Sequence, residues 1–399
     1  MERESISAPS KLALVLASVA GLAALAIPCA QAQTLSVVHN FTGGSDGGNP
    51  VNGFMMSATG TLYGTASSGG SSGNGVVFKV GGTGDETVLH SFAGGSDGAT
   101  PNGGVIEDAS GAFFGTTTAG GTSGLGTVYR VKRTNETVLY SFAGGVDGAD
   151  PQAGLVMDAA GNLYGTTSAG GPAGNGTVFE LVAPKVRNGR WTETVLYSFG
   201  TGTDGATPIG GVNLDASGDL YGTTSLGGAY GYGTVFQLTP GSTWKENILY
   251  NFDNTTDGAY PYAGLISDAA GHLYGAATDG GSGGGGTVFE LTPSSGNWTF
   301  AVLYSLPGWG ISGSFRDLML DASGNIFGTT HCDGVNSAGT IFELTPSAGS
   351  WTYNLLYTFT GGNDGLYSIS NLVMKRGKLY GTTIDGGANG AGVIYKLTP

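Results

Sequence analysis

A short segment that ends in an aromatic residue, a glycine and two small residues recurs seven times along this chain of 399 residues. Its clearest copy runs from Gly154 to Thr167. The glycine after the aromatic residue returns at intervals of 50 to 57 residues. These glycines are Gly64, Gly115, Gly165, Gly222, Gly275, Gly328 and Gly381. A period near 50 is typical of a propeller or a solenoid, in which each repeat is one structural unit.

Each repeat contains four short runs of β-branched and aromatic residues that are bounded by turn residues. In the third copy these runs are Leu155–Asp158, Asn162–Thr167, Thr177–Leu181 and Thr194–Phe199. Four antiparallel strands in one repeat match a propeller blade. The chain is therefore predicted to be all-β, with a single seven-bladed propeller over residues 33–399 that is almost without helix.

The phase of the repeat predicts how the ring closes. The repeats begin with a fourth strand, Leu35–Phe41, and finish with a third strand, Val393–Leu397. The N-terminal strand would therefore complete the seventh blade and cover an edge that is otherwise open. A solenoid needs polar capping repeats at both ends, and no cap-like segment is evident in the sequence.

Composition and charge narrow the class of partner. Glycine contributes 77 residues but does not fall at every third position, which excludes collagen. The 15 basic and 29 acidic residues give a net charge of −14, and the basic residues are scattered. Nucleic acids and anionic membranes bind concentrated basic patches, so neither is an expected partner.

Residues 1–32 have the pattern of a secretory signal peptide. Basic residues precede an apolar run, and Ala30-Gln31-Ala32 supplies the small residues that signal peptidase recognises. We expect cleavage after Ala32 and a secreted or periplasmic protein with no membrane span in the mature chain. Cys332 would then be the one remaining cysteine, which excludes an intrachain disulfide. The alternatives are a transmembrane anchor and, because of Cys29, a lipoprotein.

The repeat resembles the GloVer tandem repeat of exported bacterial proteins with variable anchors. The matching segments are Asn162–Thr167, Gly170-Gly171, Gly176–Leu181, Trp191–Phe199 and Gly144–Pro151. The resemblance covers nearly all of residues 34–399. It implies an exported repeat protein and carries no established chemistry. The C-terminal strand has no anchor signal, so surface attachment is not expected. More loosely, the order of strand, Tyr-Gly, Gly-Gly, strand and Trp is similar to kelch blades, which supports the fold only.

Phosphate, calcium and zinc sites are disfavoured by the motifs. The glycine-rich connections lack the lysine of a phosphate loop and precede strands. Each Gly-x-Asp-Gly loop offers one regular aspartate, such as Asp147, whereas calcium takes about six to eight oxygens. We predict that these aspartates cap turns. The four histidines are scattered without zinc-ligand spacing. No metal and no cofactor are therefore expected.

The sixth repeat departs from the others on the face that carries the second and fourth connections. Five repeats place a glycine at the start of the first strand, namely Gly53, Gly104, Gly154, Gly211 and Gly264. We expect these glycines to leave the channel mouth wide. The sixth and seventh repeats have larger polar residues at or near this mouth. We predict that they form a ligand site beside blades six and seven, with Trp309, Arg316, Asp317, His331, Asp333 and Asn371. The alternative is drift in a degenerate repeat.

Two functions from different classes fit this pattern. The leading prediction is a monomeric, non-catalytic binding or scaffold module for a glycan, a matrix component or a partner protein. The alternative is an extracellular glycan- or lactone-directed hydrolase or lyase with its site at the channel mouth. Paired carboxylates about 5–10 Å apart on that face would favour the enzyme. One carboxylate beside an exposed tryptophan would favour binding. The sequence assigns no catalytic residue.

Overall fold

A computed structural model describes residues 33–186, 189–307 and 318–398. Within these residues the chain forms seven four-stranded antiparallel sheets, and a single short 3₁₀ turn, Gly95–Asp97, is helical. The predicted all-β propeller with seven blades of four strands is confirmed. Among the described residues, no helix combines the length and apolarity that a membrane span requires.

Each blade is built from an innermost strand of two or three residues followed by three longer strands. Blade one comprises β2 (Met55–Met56), β3 (Leu62–Ala66), β4 (Val76–Val80) and β5 (Glu86–Ser91). Blade two comprises β6 (Ile106–Glu107), β7 (Ala112–Thr117), β8 (Thr127–Lys132) and β9 (Asn135–Ser141). Blade three comprises β10 (Val156–Met157), β11 (Leu163–Thr167), β12 (Thr177–Val182) and β13 (Thr192–Ser198). Blade four comprises β15 (Asn213–Leu214), β16 (Leu220–Thr224), β18 (Thr234–Thr239) and β19 (Lys245–Asn251), and a two-stranded ladder, β14 (Gly205–Ala206) with β17 (Leu226–Gly227), lies in its loops. Blade five comprises β20 (Ile266–Ser267), β21 (Leu273–Ala277), β22 (Gly284–Ser294) and β23 (Asn297–Pro307). Blade six comprises β24 (Met319–Leu320), β25 (Ile326–Thr330), β26 (Thr340–Ser347) and β27 (Ser350–Thr358). Blade seven comprises β28 (Val373–Lys375), β29 (Lys378–Thr383) and β30 (Val393–Thr398), together with β1 (Thr34–Asn40).

The N-terminal strand closes the ring. β1 pairs antiparallel with β30, from Thr34 opposite Thr398 to Asn40 opposite Val393. Side chains of β1 contact two different cores, because Val37 packs in blade seven and Val38 packs against the core of blade one. The predicted closure is therefore confirmed, and β1 joins the two ends of the described chain.

The glycine of the repeat signature lies beneath an aromatic ring. A Cβ atom at Gly222 would lie 2.5 Å from Cζ of Phe236, which is fully buried. The Phe236 ring in turn packs edge-on against Phe199 of the preceding blade, with the ring centroids 5.2 Å apart. Equivalent pairs are Phe41–Phe78, Phe92–Tyr129, Phe142–Phe179, Phe252–Phe289 and Phe359–Tyr395. The glycine therefore makes room for the ring that packs each of these blades against its neighbour.

The second and fourth connections lie on one face and link adjacent blades. The backbone N–H of Thr100, in the loop from blade one to blade two, donates to the Asn74 carbonyl of blade one. The Thr100 carbonyl accepts from the backbone N–H of Thr118 in blade two. Thr100 has a left-handed φ of 56°, which these two hydrogen bonds maintain. Residues at the equivalent position also have positive φ: Asn49, Asp150, Thr207, Tyr260 and Tyr367.

The regular aspartate of this loop caps its turn, as predicted. Oδ2 of Asp147 accepts the backbone N–H of Ala143 at 2.6 Å, and Oδ1 accepts the hydroxyl of Tyr140 at 2.9 Å. The same pair of hydrogen bonds recurs at Asp204, Asp257 and Asp364. A carboxylate with these partners stabilises the turn of the fourth connection.

Candidate functional site

The innermost strands surround a central cavity of about 410 Å³. Among the residues that the structure describes, its lining comes from blades one to five together with one residue of blade seven. Among the described lining residues the polar side chains are neutral, namely Asn52, Asn213, Tyr262 and Asn371. Aliphatic side chains, including Ile106 and Leu214, complete the wall. The described lining thus combines amide and phenol groups with apolar surface, a mixture that is common in small-molecule sites.

The glycines at the start of the innermost strands bring neighbouring blades together. A Cβ atom at Gly104 would lie 3.3 Å from the Gly53 carbonyl oxygen. At Gly154 and Gly211 the corresponding distance to the carbonyl oxygen of the preceding glycine is 3.4 Å. These glycines line the cavity, and a side chain at any of the three positions would meet the backbone of the preceding blade. The wide mouth stays a prediction.

Asn371 is the predicted site residue that lines the cavity. Its side chain occupies the space that a Cβ atom at Gly53 would need. Within the described part of the chain, its buried Oδ1 has no hydrogen-bond partner. A buried acceptor without a partner is costly, and the close contact with Gly53 is what shields this atom.

Two further predicted residues lie in the second connection of blade six. The His331 ring packs on the Tyr367 ring at a centroid distance of 4.3 Å, and its Nδ1 lies 3.0 Å from Sγ of Cys332. Burial raises the pKa of Asp333, opposed by a hydrogen bond from Thr330. Neither His331 nor Asp333 belongs to the cavity lining. Trp309, Arg316 and Asp317 lie outside the described residues, so a joint site for all six remains a prediction.

Sequence reasoning missed three of the polar cavity residues. Asn52 and Tyr262 stand one and two residues before the aligned glycine of their repeats, and Asn213 stands two residues after it. Asn213 donates from Nδ2 to the Leu265 carbonyl oxygen of the next blade at 3.2 Å. A comparison of the seven repeats at every position of the first strand and its preceding loop, and not at the glycine position alone, would have revealed these residues.

A second polar arrangement lies between the outermost strands of neighbouring blades. His90 of β5 lies 3.3 Å from Asp97, and Glu136 of β9 completes a group whose ligand atoms lie within 4.8 Å of one another. This geometry could hold a cation, but Asp97 is already engaged by the backbone N–H of Ala93 at 2.5 Å. Three other interfaces place an aspartate beside a glutamate, in the pairs Asp46–Glu86, Asp147–Glu193 and Asp204–Glu246.

Burial raises the pKa of each of these glutamates, and the negative charge of the facing aspartate raises it further. The pKa is about 7 for Glu86, Glu193 and Glu246, and about 8 for Glu136. The glutamates are therefore protonated well above the pH at which a free side chain ionises. Blade five has Phe300 at the aligned position, where it stacks on Tyr250 at 3.8 Å. The recurrence of the pairs along the ring indicates a role in blade packing.

The four glutamates predict a pH-dependent stability. Because their pKa values are higher in the folded chain than in the unfolded chain, their contribution is complete below about pH 4.5 and is lost as the pH rises through 7 to 8. After allowance for solvent screening we expect a loss of about 1 kcal/mol for each pair. The free energy of unfolding, measured in urea, should be lower at pH 9 than at pH 5.

The fourfold variant Glu86→Gln, Glu136→Gln, Glu193→Gln and Glu246→Gln is the matched control, since the amide is neutral at every pH. Its stability should vary less between pH 5 and pH 9 than that of the wild type. His39 opposes the effect, because burial lowers its pKa and stability is lost as that histidine becomes protonated on acidification. Equal pH profiles for the wild type and the fourfold variant would contradict the assignment.

Comparisons with known proteins agree with this architecture. The sequence profile of the Gloeobacter/Verrucomicrobia repeat matches residues 27–214 and 209–399. Among curated protein sequences, none matches the chain. A 6-phosphogluconolactonase candidate from Bacteroides uniformis is similar in structure, with a TM-score of 0.52 and 15% identity over 80% of this chain and 88% of that chain.

Two other solved structures are similar at low identity. The extracellular domain of a candidate one-component system from B. thetaiotaomicron has a TM-score of 0.54 and 10% identity, over 87% of this chain and 38% of that one. A gluconolactonase from Xanthomonas campestris has a TM-score of 0.43 and 14% identity, over 92% and 89% of the two chains. At these identities the likeness concerns the fold alone. The repeat profile, in contrast, spans both halves of the propeller, and the chain belongs to the Gloeobacter/Verrucomicrobia repeat family.

Proposed function

We propose that this protein is an exported, non-catalytic binding module that takes a neutral glycan into its central cavity. The observation that carries the proposal is the lining of that cavity by amide, phenol and aliphatic side chains. Amides both donate and accept hydrogen bonds, which matches the hydroxyl groups of a sugar. The aliphatic side chains suit the apolar C–H faces of a sugar ring.

Two further features support a neutral ligand. Asn371 places a neutral amide in the cavity lining, at a position that five other blades fill with glycine. The net charge of −14 disfavours polyanionic glycans, since like charges repel over the whole surface. Export is part of the proposal and rests on the signal-peptide pattern of residues 1–32.

One feature of the sequence favours a catalytic alternative. Asp317 aligns in sequence with Gly53 and the other glycines of the first strands, so a carboxylate is predicted at this position of the sixth repeat. The alternative function is a glycan- or lactone-directed hydrolase or lyase. It predicts release of product from the bound compound, and loss of that release in Asp317→Asn with binding retained. Retention of the intact glycan without turnover supports the binding module.

An array of neutral and acidic glycans, probed with residues 33–399, tests the proposal. The wild type should retain neutral glycans, and Asn371→Gly should bind them about tenfold more weakly, the effect of losing about 1.4 kcal/mol of hydrogen bonding. Asn297→Gly is the matched control, because Asn297 is exposed at a distant hairpin. Retention of no glycan, or equal affinity of wild type and Asn371→Gly, would contradict the proposal.

A further inference from the structure

Four tyrosines interrupt the small-residue pattern of the loops at blades four and five. Tyr230 and Tyr232 lie in the second connection of blade four, and Tyr260 and Tyr262 lie in the loop that leads into blade five. Blade one has smaller residues at the aligned positions, namely Ser72, Asn74, Asn49 and Val51. We refer to the four residues as the tyrosine track.

The tyrosine track has one end at the surface and the other at the central cavity, and its two middle residues are in contact. Tyr230, at its outer end, is 62% exposed. The Tyr232 and Tyr260 rings meet edge-on at a centroid distance of 5.7 Å, and the Tyr260 backbone N–H donates to the Tyr232 carbonyl at 2.9 Å. Burial raises the pKa of Tyr262, and the nearby Asp279 and Tyr260 raise it further. It also lines the cavity, so the track ends where the proposed ligand binds.

The hydroxyl groups of the track differ from those of the strand tyrosines. Tyr140, Tyr197, Tyr250 and Tyr357 each donate to a loop aspartate at 2.9 to 3.0 Å. Among the described residues, no protein group is hydrogen-bonded to the hydroxyl of any of the four track tyrosines. The track therefore offers flat aromatic faces together with unused donors and acceptors, held on loops whose backbones are hydrogen-bonded to each other.

We propose that the tyrosine track binds the part of a neutral oligosaccharide that extends out of the central cavity. This inference rests on the proposed function and adds the ligand class, a linear glycan that is longer than the cavity holds. Aromatic faces pack on sugar rings, and phenol groups exchange hydrogen bonds with sugar hydroxyls. A proline-rich peptide also binds grooves lined by aromatic residues. Continuity with an amide-lined cavity favours the glycan.

The test measures affinity against chain length for neutral glucose, mannose, galactose and xylose oligomers of two to six units. Wild-type residues 33–399 should bind the longer members of one series more tightly than the disaccharide. The variant Tyr230→Ser, Tyr232→Asn and Tyr260→Asn carries the residues of blade one. It should bind the disaccharide like the wild type and the hexasaccharide about tenfold more weakly. Thr100→Asn, at the loop position of Tyr260 in another blade, is the control.

The outcomes separate the two proposals. If no oligomer binds, the proposed function fails, and the track inference fails with it. If the disaccharide binds but affinity does not rise with length, or the triple variant keeps the wild-type length dependence, only the track inference is overturned. Binding of a proline-rich decapeptide that the triple variant loses would assign the track to peptides and would also overturn it.

Discussion

Removal of residues 33–40 should destabilise the entire ring and not blade seven alone. The deletion removes β1, whose Leu35, Val37 and Val38 pack against the cores of two blades. Burial of three such side chains is worth roughly 5 kcal/mol, and the deletion also exposes the edge of β30. Urea denaturation of residues 41–399 should show this loss as one cooperative transition at a lower midpoint than that of residues 33–399.

A circular permutant controls for the loss of chain length. Thr34 lies opposite Thr398 in the paired strands, so a short turn from Thr398 to Thr34 restores β1 at the other end of the chain. Residues 41–398 followed by this turn and residues 34–40 should recover most of the lost stability. Equal midpoints for the deleted and intact chains would show that the ring does not depend on β1.

Gly222→Val should lower the free energy of unfolding by about 3 kcal/mol, the upper range for overpacking a core. The added side chain would occupy the space of the Phe236 ring, which packs blade four against Phe199 of blade three. Gly82→Val is the matched control, because no atom lies within 4 Å of a Cβ there and Gly82 does not need a left-handed φ. Chemical denaturation at one pH compares the variants.

A double variant tests whether the aromatic ring is the cause. Phe236→Leu removes the ring and is destabilising alone, but it makes room for the valine at position 222. The combined loss in Gly222→Val with Phe236→Leu should be smaller than the sum of the two single losses. Additive losses would mean that the glycine serves some purpose other than contact with Phe236.

The sequence predicted the fold well because each strand depends on local patterns. Runs such as Thr177–Leu181 are rich in β-branched and aromatic residues and follow glycine turns, and the observed strand, Thr177–Val182, differs by one residue. The innermost strands are shorter than predicted, since β10 pairs with β11 through Val156 and Met157 alone. The hairpins β22–β23 and β26–β27 are longer than the other outer hairpins, because pairing continues to Ser294 opposite Asn297 and to Ser347 opposite Ser350.

The site was less predictable because its contacts cross between blades. The sequence alignment of the repeats predicted that Asn371 lies at the channel, because it aligns with Gly53 and the other glycines of the first strands, which line the cavity. Periodicity alone does not show that Glu136 meets Asp97 of the preceding loop, because that contact depends on the twist of two adjacent blades. Nor does it show that Tyr232 meets Tyr260, which the linked loops bring together.

A crystal structure of residues 33–399 with the tightest neutral oligosaccharide from the array tests the central claim most directly. We expect one end of the sugar in the central cavity, in contact with Asn52, Tyr262 and Asn371. We expect hydrogen bonds between sugar hydroxyls and the side-chain amide of Asn371. Sugar bound instead at the outer hairpin of blade four, in the surface hollow lined by Tyr197, Trp244 and Glu246, with none in the central cavity, would contradict the claim.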